Sequence, residues 1–319
     1  MSKNEKRGVQ EDIVKIFENF FNLTEVDGHF TATPPHHGGA FNPIRLFGGQ
    51  AIGQAYLAAT KIRPDFLPLR MDFTFLRPGT TKDDIDYMAT SSGVGSHYLA
   101  LESRQGEKVL NTAKFRLARL KYFEKEALQP VDFIDTSNLP CPYQTKPSSP
   151  FIATTVIDKW LKRHGFETRF ANFNRNRPTL FEGRLIRFYD FENDQKQSSL
   201  MWMRLSKIVK DSPIPINVII PLVFSDFILA LPSNVILDQE PSQKSPVMSS
   251  LEHQVVFHSN DFDAKDFFLV EQQIECSTEM VKINGKIATR HGRPVMSFTQ
   301  QAFFQELIPN QFVEPSPKL

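Results

Sequence analysis

The sequence predicts an α+β protein assembled twice on one plan. A helix followed by antiparallel strands is read in the first part of the chain and again in the last. In the first, Ile52, Ala55, Tyr56 and Ala59 recur at helical spacing, and four extended runs bounded by turns follow them. The turn before the last strand of each half shares Arg-x-Gly-x-x-Val, at Arg104–Val109 and Arg290–Val295. An echo placed alike in two parallel element orders predicts duplication.

The elements follow in order. Ile13, Ile16, Phe17, Phe20 and Phe21 predict an amphipathic opening helix, and Asp27-Gly28 a hairpin turn between short strands. Gly48-Gly49 opens the next helix, whose small face suits close packing on a sheet, and Pro64 ends it. Strands are predicted over Leu69–Leu76, Asp83–Thr90, Ser96–Arg104 and Lys108–Ala118. Pro130, Pro140, Pro142, Pro147 and Pro150 then mark an extended connector over the surface. A strand pair, Phe181–Phe191 and Ser199–Ser206, precedes an apolar helix over Val218–Leu231. Four more strands, Leu251–His258, Phe267–Glu275, Met280–Arg290 and Val295–Phe304, complete the second half. The expected domains are residues 1–120, a connector over 121–179, and residues 180–319.

Composition narrows the function classes. At 319 residues with 40% hydrophobic content and 29 Phe, the chain can fill a sizeable core. A balance of 37 Lys+Arg against 36 Asp+Glu offers no global basic surface for nucleic acid or anionic lipid. Cys141 and Cys276 form neither a disulfide framework nor a zinc ligand set, and no metal or cofactor is expected. The N-terminus reads as neither a secretory signal nor a transit peptide, and the apolar stretch 218–231 is shorter than the roughly 20 residues a bilayer needs. No membrane insertion is therefore expected. The tail Pro317-Lys318-Leu319 resembles a C-terminal peroxisomal address, with Pro where Ser is usual, and makes a peroxisomal import receptor a candidate partner.

Two polar residues stand out against apolar surroundings. Asp226 is the only charged residue between Asp211 and Asp238, and Leu222, Val223, Leu229 and Ala230 surround it at helical spacing. A buried carboxylate is costly unless bonded, so Asp226 is either a structural group tied to backbone amides or a site residue. Gln300 is the only polar residue on a strand face shared with Met296, Phe298, Ala302 and Phe304. It needs a partner, and either backbone or a reacting water would serve. Ser250 begins the strand that carries His253 and His258, which lie on opposite faces and cannot share a metal. His36-His37-Gly38-Gly39 reads as a surface loop. No Gly-x-Ser-x-Gly elbow, phosphate loop or dinucleotide fingerprint is present. The first amides of the helix at Gly48-Gly49 could stabilise an oxyanion.

Phe47-Gly48-Gly49-Gln50-Ala51-Ile52-Gly53-Gln54-Ala55 and Phe75-Leu76-Arg77-Pro78-Gly79 closely resemble the first half of the acyl-CoA thioesterase II family. Phe224-Ser225-Asp226-Phe227 resembles its Ser-Asp helix motif, and Ser250-Leu251-Glu252-His253 its Ser/Thr-x-Asp-His strand. The final strand, with Ser297 and Gln300, resembles the strand that carries the family's catalytic Gln. The likeness covers roughly residues 10–120 and 180–305. Met71-Asp72-Phe73-Thr74 stands where the family carries His, and Glu279-Met280-Val281 where it has small residues with Arg.

The resemblance implies a double hotdog: two helices, each wrapped by an antiparallel sheet, with the sheets joined side by side. It also implies hydrolysis of fatty acyl-CoA to acid and CoA, with Asp226 acting as general base or orienting the water and Ser250 and Gln300 holding that water. A homo-oligomer is left open. Two rivals share this fold. An enoyl-CoA hydratase would need an Asp–His pair on one helix-loop segment, and no His lies near Asp226 in sequence. A non-catalytic acyl-CoA-binding protein would need neither.

Overall fold

The computed structural model describes residues 3–39, 44–91, 97–130, 133–148, 152–163, 180–188, 198–227, 244–277 and 279–306. Helix α1 (Lys3–Asn19) opens the chain and buries Ile13 and Phe17, and Phe20 in the turn after it is buried too. Strands β1 (Thr24–Val26) and β2 (His29–Ala32) pair through the expected hairpin, with both Asp27 and Gly28 at positive φ. Helix α2 (Gly48–Ile62) then leads into β3 (Phe66–Phe75), β4 (Ile85–Ser91), β5 (Tyr98–Gln105) and β6 (Lys108–Arg119). The connector is not extended throughout. It holds a short turn of helix, α3 (Phe123–Glu126), and α4 (Ile152–Arg163), which the proline-rich reading missed.

The second half repeats the order. Strands β7 (Phe181–Arg187) and β8 (Ser198–Leu205) precede helix α5 (Ile219–Phe224). Strands β9 (Lys244–Phe257), β10 (Phe268–Cys276), β11 (Met280–Thr289) and β12 (Pro294–Glu306) follow. Helix α5 is shorter than predicted, and residues 228–231 of the expected helix lie outside the described residues, as does the tail at 316–319. Among the described residues no helix is long and apolar enough to cross a membrane.

All twelve strands join one antiparallel sheet in the order β1-β2-β4-β5-β6-β3-β9-β12-β11-β10-β8-β7. Read outward from the β3–β9 junction, each half gives the same sequence of roles: first strand after the helix, then last, third and second, then the pair before the helix. The fold is a double hotdog, with its two sheets joined edge to edge through β3 and β9. The Arg-x-Gly-x-x-Val echo does not mark equivalent positions. Arg104 opposes Val109 across its hairpin, whereas Ala288 opposes Pro294, because the second turn is one residue longer.

Helix α2 lies inside this sheet, with Gly49 through Ala59 all buried. Tyr56 packs on Phe257 of β9, and Gln54 accepts a hydrogen bond from Tyr87 Oη of β4 at 3.0 Å. Gly49 and Gly53 lie against the other helix. A Cβ on Gly53 would lie 3.2 Å from Ile219, and one on Gly49 3.0 Å from the Val223 carbonyl oxygen. The two helices therefore approach closely, start of α2 against α5.

Candidate active site

The close approach of the two helices sets the position of Asp226. Helix α5 ends at Phe224, and the next two residues continue as a turn, with Asp226 N–H donating to the Val223 carbonyl at 3.3 Å. Asp226 is thus a residue beyond the helix end rather than on a helix face. Phe227 anchors the turn, its ring 5.3 Å from Phe47 and 5.2 Å from Phe181. Gln272 of β10 donates to the Phe227 carbonyl at 2.8 Å. Held on both sides, the Asp226 carboxyl points at the first turn of α2. A Cβ on Gly48 would stand 2.6 Å from Asp226 Oδ2, so only glycine leaves room there. The Gly49 N–H donates to the carboxyl. That amide was a candidate for an oxyanion; it is committed to Asp226 instead.

Gln300 enters from the sheet. It is fully buried on the inner face of β12, and its Nε2 donates to Asp226 Oδ1 at 2.8 Å and to Ser250 Oγ at 2.8 Å. One amide nitrogen thus joins residues that are 74 and 50 positions away in the chain. All three residues singled out in the sequence meet at one point.

Ser250 reaches it through a backbone irregularity. His253 opposes Gln300 and Glu252 opposes Gln301, but Ala302 opposes Ser250, leaving Leu251 as an extra residue in β9. Without that bulge, Ser250 would point away from the face that His253 occupies, since they are three apart. The bulge returns the hydroxyl to the inner face.

The electrostatics of the group are unusual. Burial pushes the Asp226 carboxyl up to about 7, against the opposing pull of the Gln300 and Gly49 hydrogen bonds. It keeps 8% of its surface exposed, and Ser250 is half-buried, so the cluster borders the surface. His253, fully buried beneath Gln300, is driven down to about 3 by burial and is neutral. Its ring stacks on Phe298, and its Nε2 lies 2.8 Å from Ser225 Oγ.

His36 and His37 are not a surface loop. Both are buried; His36 bonds the Asp83 carbonyl at 3.0 Å and Gln50 Nε2 at 3.0 Å. Gln50 Oε1 in turn accepts the His37 N–H at 2.6 Å, which braces the segment that enters α2. The departures at Met71 and Asp72 are also placed. Met71 is buried in β3, and Asp72 pairs with Arg70 at 2.8 Å on the outer face.

Comparison with known proteins bears on this arrangement. The acyl-CoA thioesterase C-terminal domain matches residues 144–304, just over half of the chain. The chain belongs to the acyl-CoA thioesterase II family. Among solved structures, the tesB protein of Mycobacterium avium subsp. paratuberculosis is similar at 17% identity and a TM-score of 0.62, covering 92% of this chain and 99% of its own. The acyl-CoA thioesterase II TesB2 of Mycobacterium marinum is 14% identical, with a TM-score of 0.63 and coverage of 91% and 98%. The dehydratase domain of RzxB from Pseudomonas fluorescens shares the fold at 12% identity and a TM-score of 0.56, covering 88% and 96%. No curated protein sequence matches the chain.

Within this family member, sequence reasoning passed over His253 and Gly48 as site residues. The signal for His253 was present, since it is polar on a face shared with Val255 and Phe257. Gly48 was noted as a turn former, and nothing local in the sequence ties it to a carboxylate nearly 180 residues on.

Proposed function

We propose that this chain hydrolyses an acyl-CoA thioester to the free acid and CoA. The observation that carries the reading is the single Gln300 nitrogen bridging Asp226 and Ser250 beside a carboxyl held near neutral pH. A general base works best when its pKa lies near the operating pH, and Asp226 meets that condition.

The residues divide the work. Ionised Asp226 takes a proton from water as the water oxygen attacks the thioester carbon. The protonated carboxyl then returns that proton to the departing thiolate, so it starts and ends the cycle ionised. Ser250 accepts from Gln300, which leaves its own O–H free to donate to the water or to the developing oxyanion. Both Gln300 N–H groups are spent on the protein, so Gln300 positions the base and the hydroxyl rather than gripping water itself.

The group opposite Asp226 also favours hydrolysis over hydration of an enoyl-CoA. Adding water across a double bond calls for an acid as well as a base, and an amide cannot exchange protons at that task. His253 contacts Ser225, not Asp226, and burial keeps it neutral. The test is free-thiol release across a panel of saturated and enoyl-CoAs. Thiol released from saturated acyl-CoA supports the reading. Loss of the enoyl chromophore without thiol would assign a hydratase, and binding without either change would assign a carrier.

A further inference from the structure

Gln300 has a second end. Its Oε1 is buried and meets no hydrogen-bond partner among the described residues. Directly opposite on β9, His253 Nδ1 is also buried and without one. The Gln300 side chain lies near enough to the imidazole to favour a proton on it against the pull of burial. An amide oxygen can only accept, and two neighbouring acceptors would each stay buried without a hydrogen bond. The strain vanishes if the neutral imidazole carries its hydrogen on Nδ1. Nε2 is then the acceptor, and the Ser225 hydroxyl 2.8 Å away can donate to it.

The other tautomer is poorer. It would place the hydrogen on Nε2, aimed at Ser225 Oγ, and turn the Ser225 hydroxyl to the Leu222 carbonyl at 2.7 Å. That carbonyl has a second lone pair beside the one taken by the Ser225 backbone N–H at 3.3 Å, so Ser225 is satisfied in either form and the difference lies at Nδ1. Nδ1 and Oε1 would remain as opposed lone pairs. The parallel stack on Phe298, 10° from coplanar, holds the ring plane.

The first half of the molecule supplies a contrast. The first paired residue after the hairpin irregularity is Asn111 in β6 and Met296 in β12. Four residues further on stand Phe115 and Gln300, which oppose Met71 and His253 respectively. The half without Asp226 fills this pair of positions with apolar side chains.

We propose that His253 is a positioning residue, whose Nδ1–H donates to Gln300 Oε1 and so fixes the amide with its nitrogen toward Asp226 and Ser250. An amide's two ends are nearly alike in shape, and a flipped Gln300 would aim a lone pair at the carboxylate. The inference rests on the reading of Asp226, Ser250 and Gln300 as the reaction centre. Its test does not need turnover.

In protein carrying ¹⁵N-labelled histidine, His253 should be in the Nδ1–H tautomer, against the Nε2–H form that free neutral imidazole prefers. Gln300→Leu should release it to Nε2–H. An Nε2–H tautomer in the unaltered protein overturns the proposal, whether or not the chain hydrolyses thioesters. Kinetics give the second readout. His253→Phe keeps the ring stack and deletes the donor, and should lower kcat by about 10- to 100-fold with KM little changed. His253→Asn, whose side-chain N–H can take the place of Nδ1–H, should recover most of that loss. Unchanged kcat in folded His253→Phe would refute the role, and if that variant does not fold the tautomer measurement alone decides.

Discussion

Asp226→Asn should stabilise the protein while disabling it, and the gain should grow with pH. Burial holds the native carboxyl up to about 7, from an ordinary value of 3.8. Between those two values the native state keeps the proton and the unfolded chain has lost it. The unfolded state is therefore favoured progressively as pH rises through that window. Stability is fully present below pH 4, declines toward pH 7, and is level above it. The two values are about three pH units apart, and at about 1.36 kcal/mol each the decline is on the order of 4 kcal/mol. Asparagine mimics the neutral acid and still offers an oxygen to Gln300, so it escapes the decline. The variant should exceed the unaltered protein by about 1 kcal/mol at pH 4.5 and about 4 kcal/mol at pH 8. With an unfolding entropy of about 2.1 cal/mol/K per residue, the larger figure corresponds to about 6 °C in Tm. Scanning calorimetry of both proteins at the two pH values measures it. A gap of equal size at both, or a less stable variant at pH 8, would refute a buried carboxylate that ionises near neutrality.

The same carboxyl sets the pH–rate profile: kcat/KM should rise through about pH 7 and level off above it, and a profile flat from pH 5 to 9 would contradict Asp226 as base. Gly48→Ala should cost at least about 10-fold in kcat with modest loss of stability, since its Cβ would meet Asp226 Oδ2 at 2.6 Å and displace the carboxyl. Gln300→Ala combined with Asp226→Asn should be little slower than Asp226→Asn alone, because residues acting as a unit lose most of their effect at the first substitution. Steady-state thiol release checks all three.

Much of this was legible in the sequence, for identifiable reasons. Helix α2 and strands β3 to β6 follow from periodicity and turns, because each side chain's face is set by local spacing. Asp226 and Gln300 were visible as polar residues in apolar company, a signal that needs no knowledge of the fold. That they share a hydrogen bond was not visible, since it depends on a turn beyond α5 meeting a strand 74 residues later. Ser250 had no distinctive local pattern, and strand alternation alone would have turned it away from His253. Only the extra residue at Leu251 brings it inward, and a bulge leaves little trace in composition. The burial of His36 and His37 was missed for a related reason. A Gly-rich segment reads as exposed unless one knows that Gln50 and the Asp83 carbonyl stand ready to satisfy it.

The central claim is that Asp226 is the base that draws a proton from water at a thioester. The most direct measurement is initial free-thiol release from one acyl-CoA at pH 8, by the unaltered protein and by Asp226→Asn. The account predicts a fall of about 10²–10⁴-fold in kcat, the usual worth of a positioned base, with binding of a non-hydrolysable acyl-CoA retained. Near-normal release by the folded variant would contradict it and return Asp226 to a purely structural part in the turn after α5.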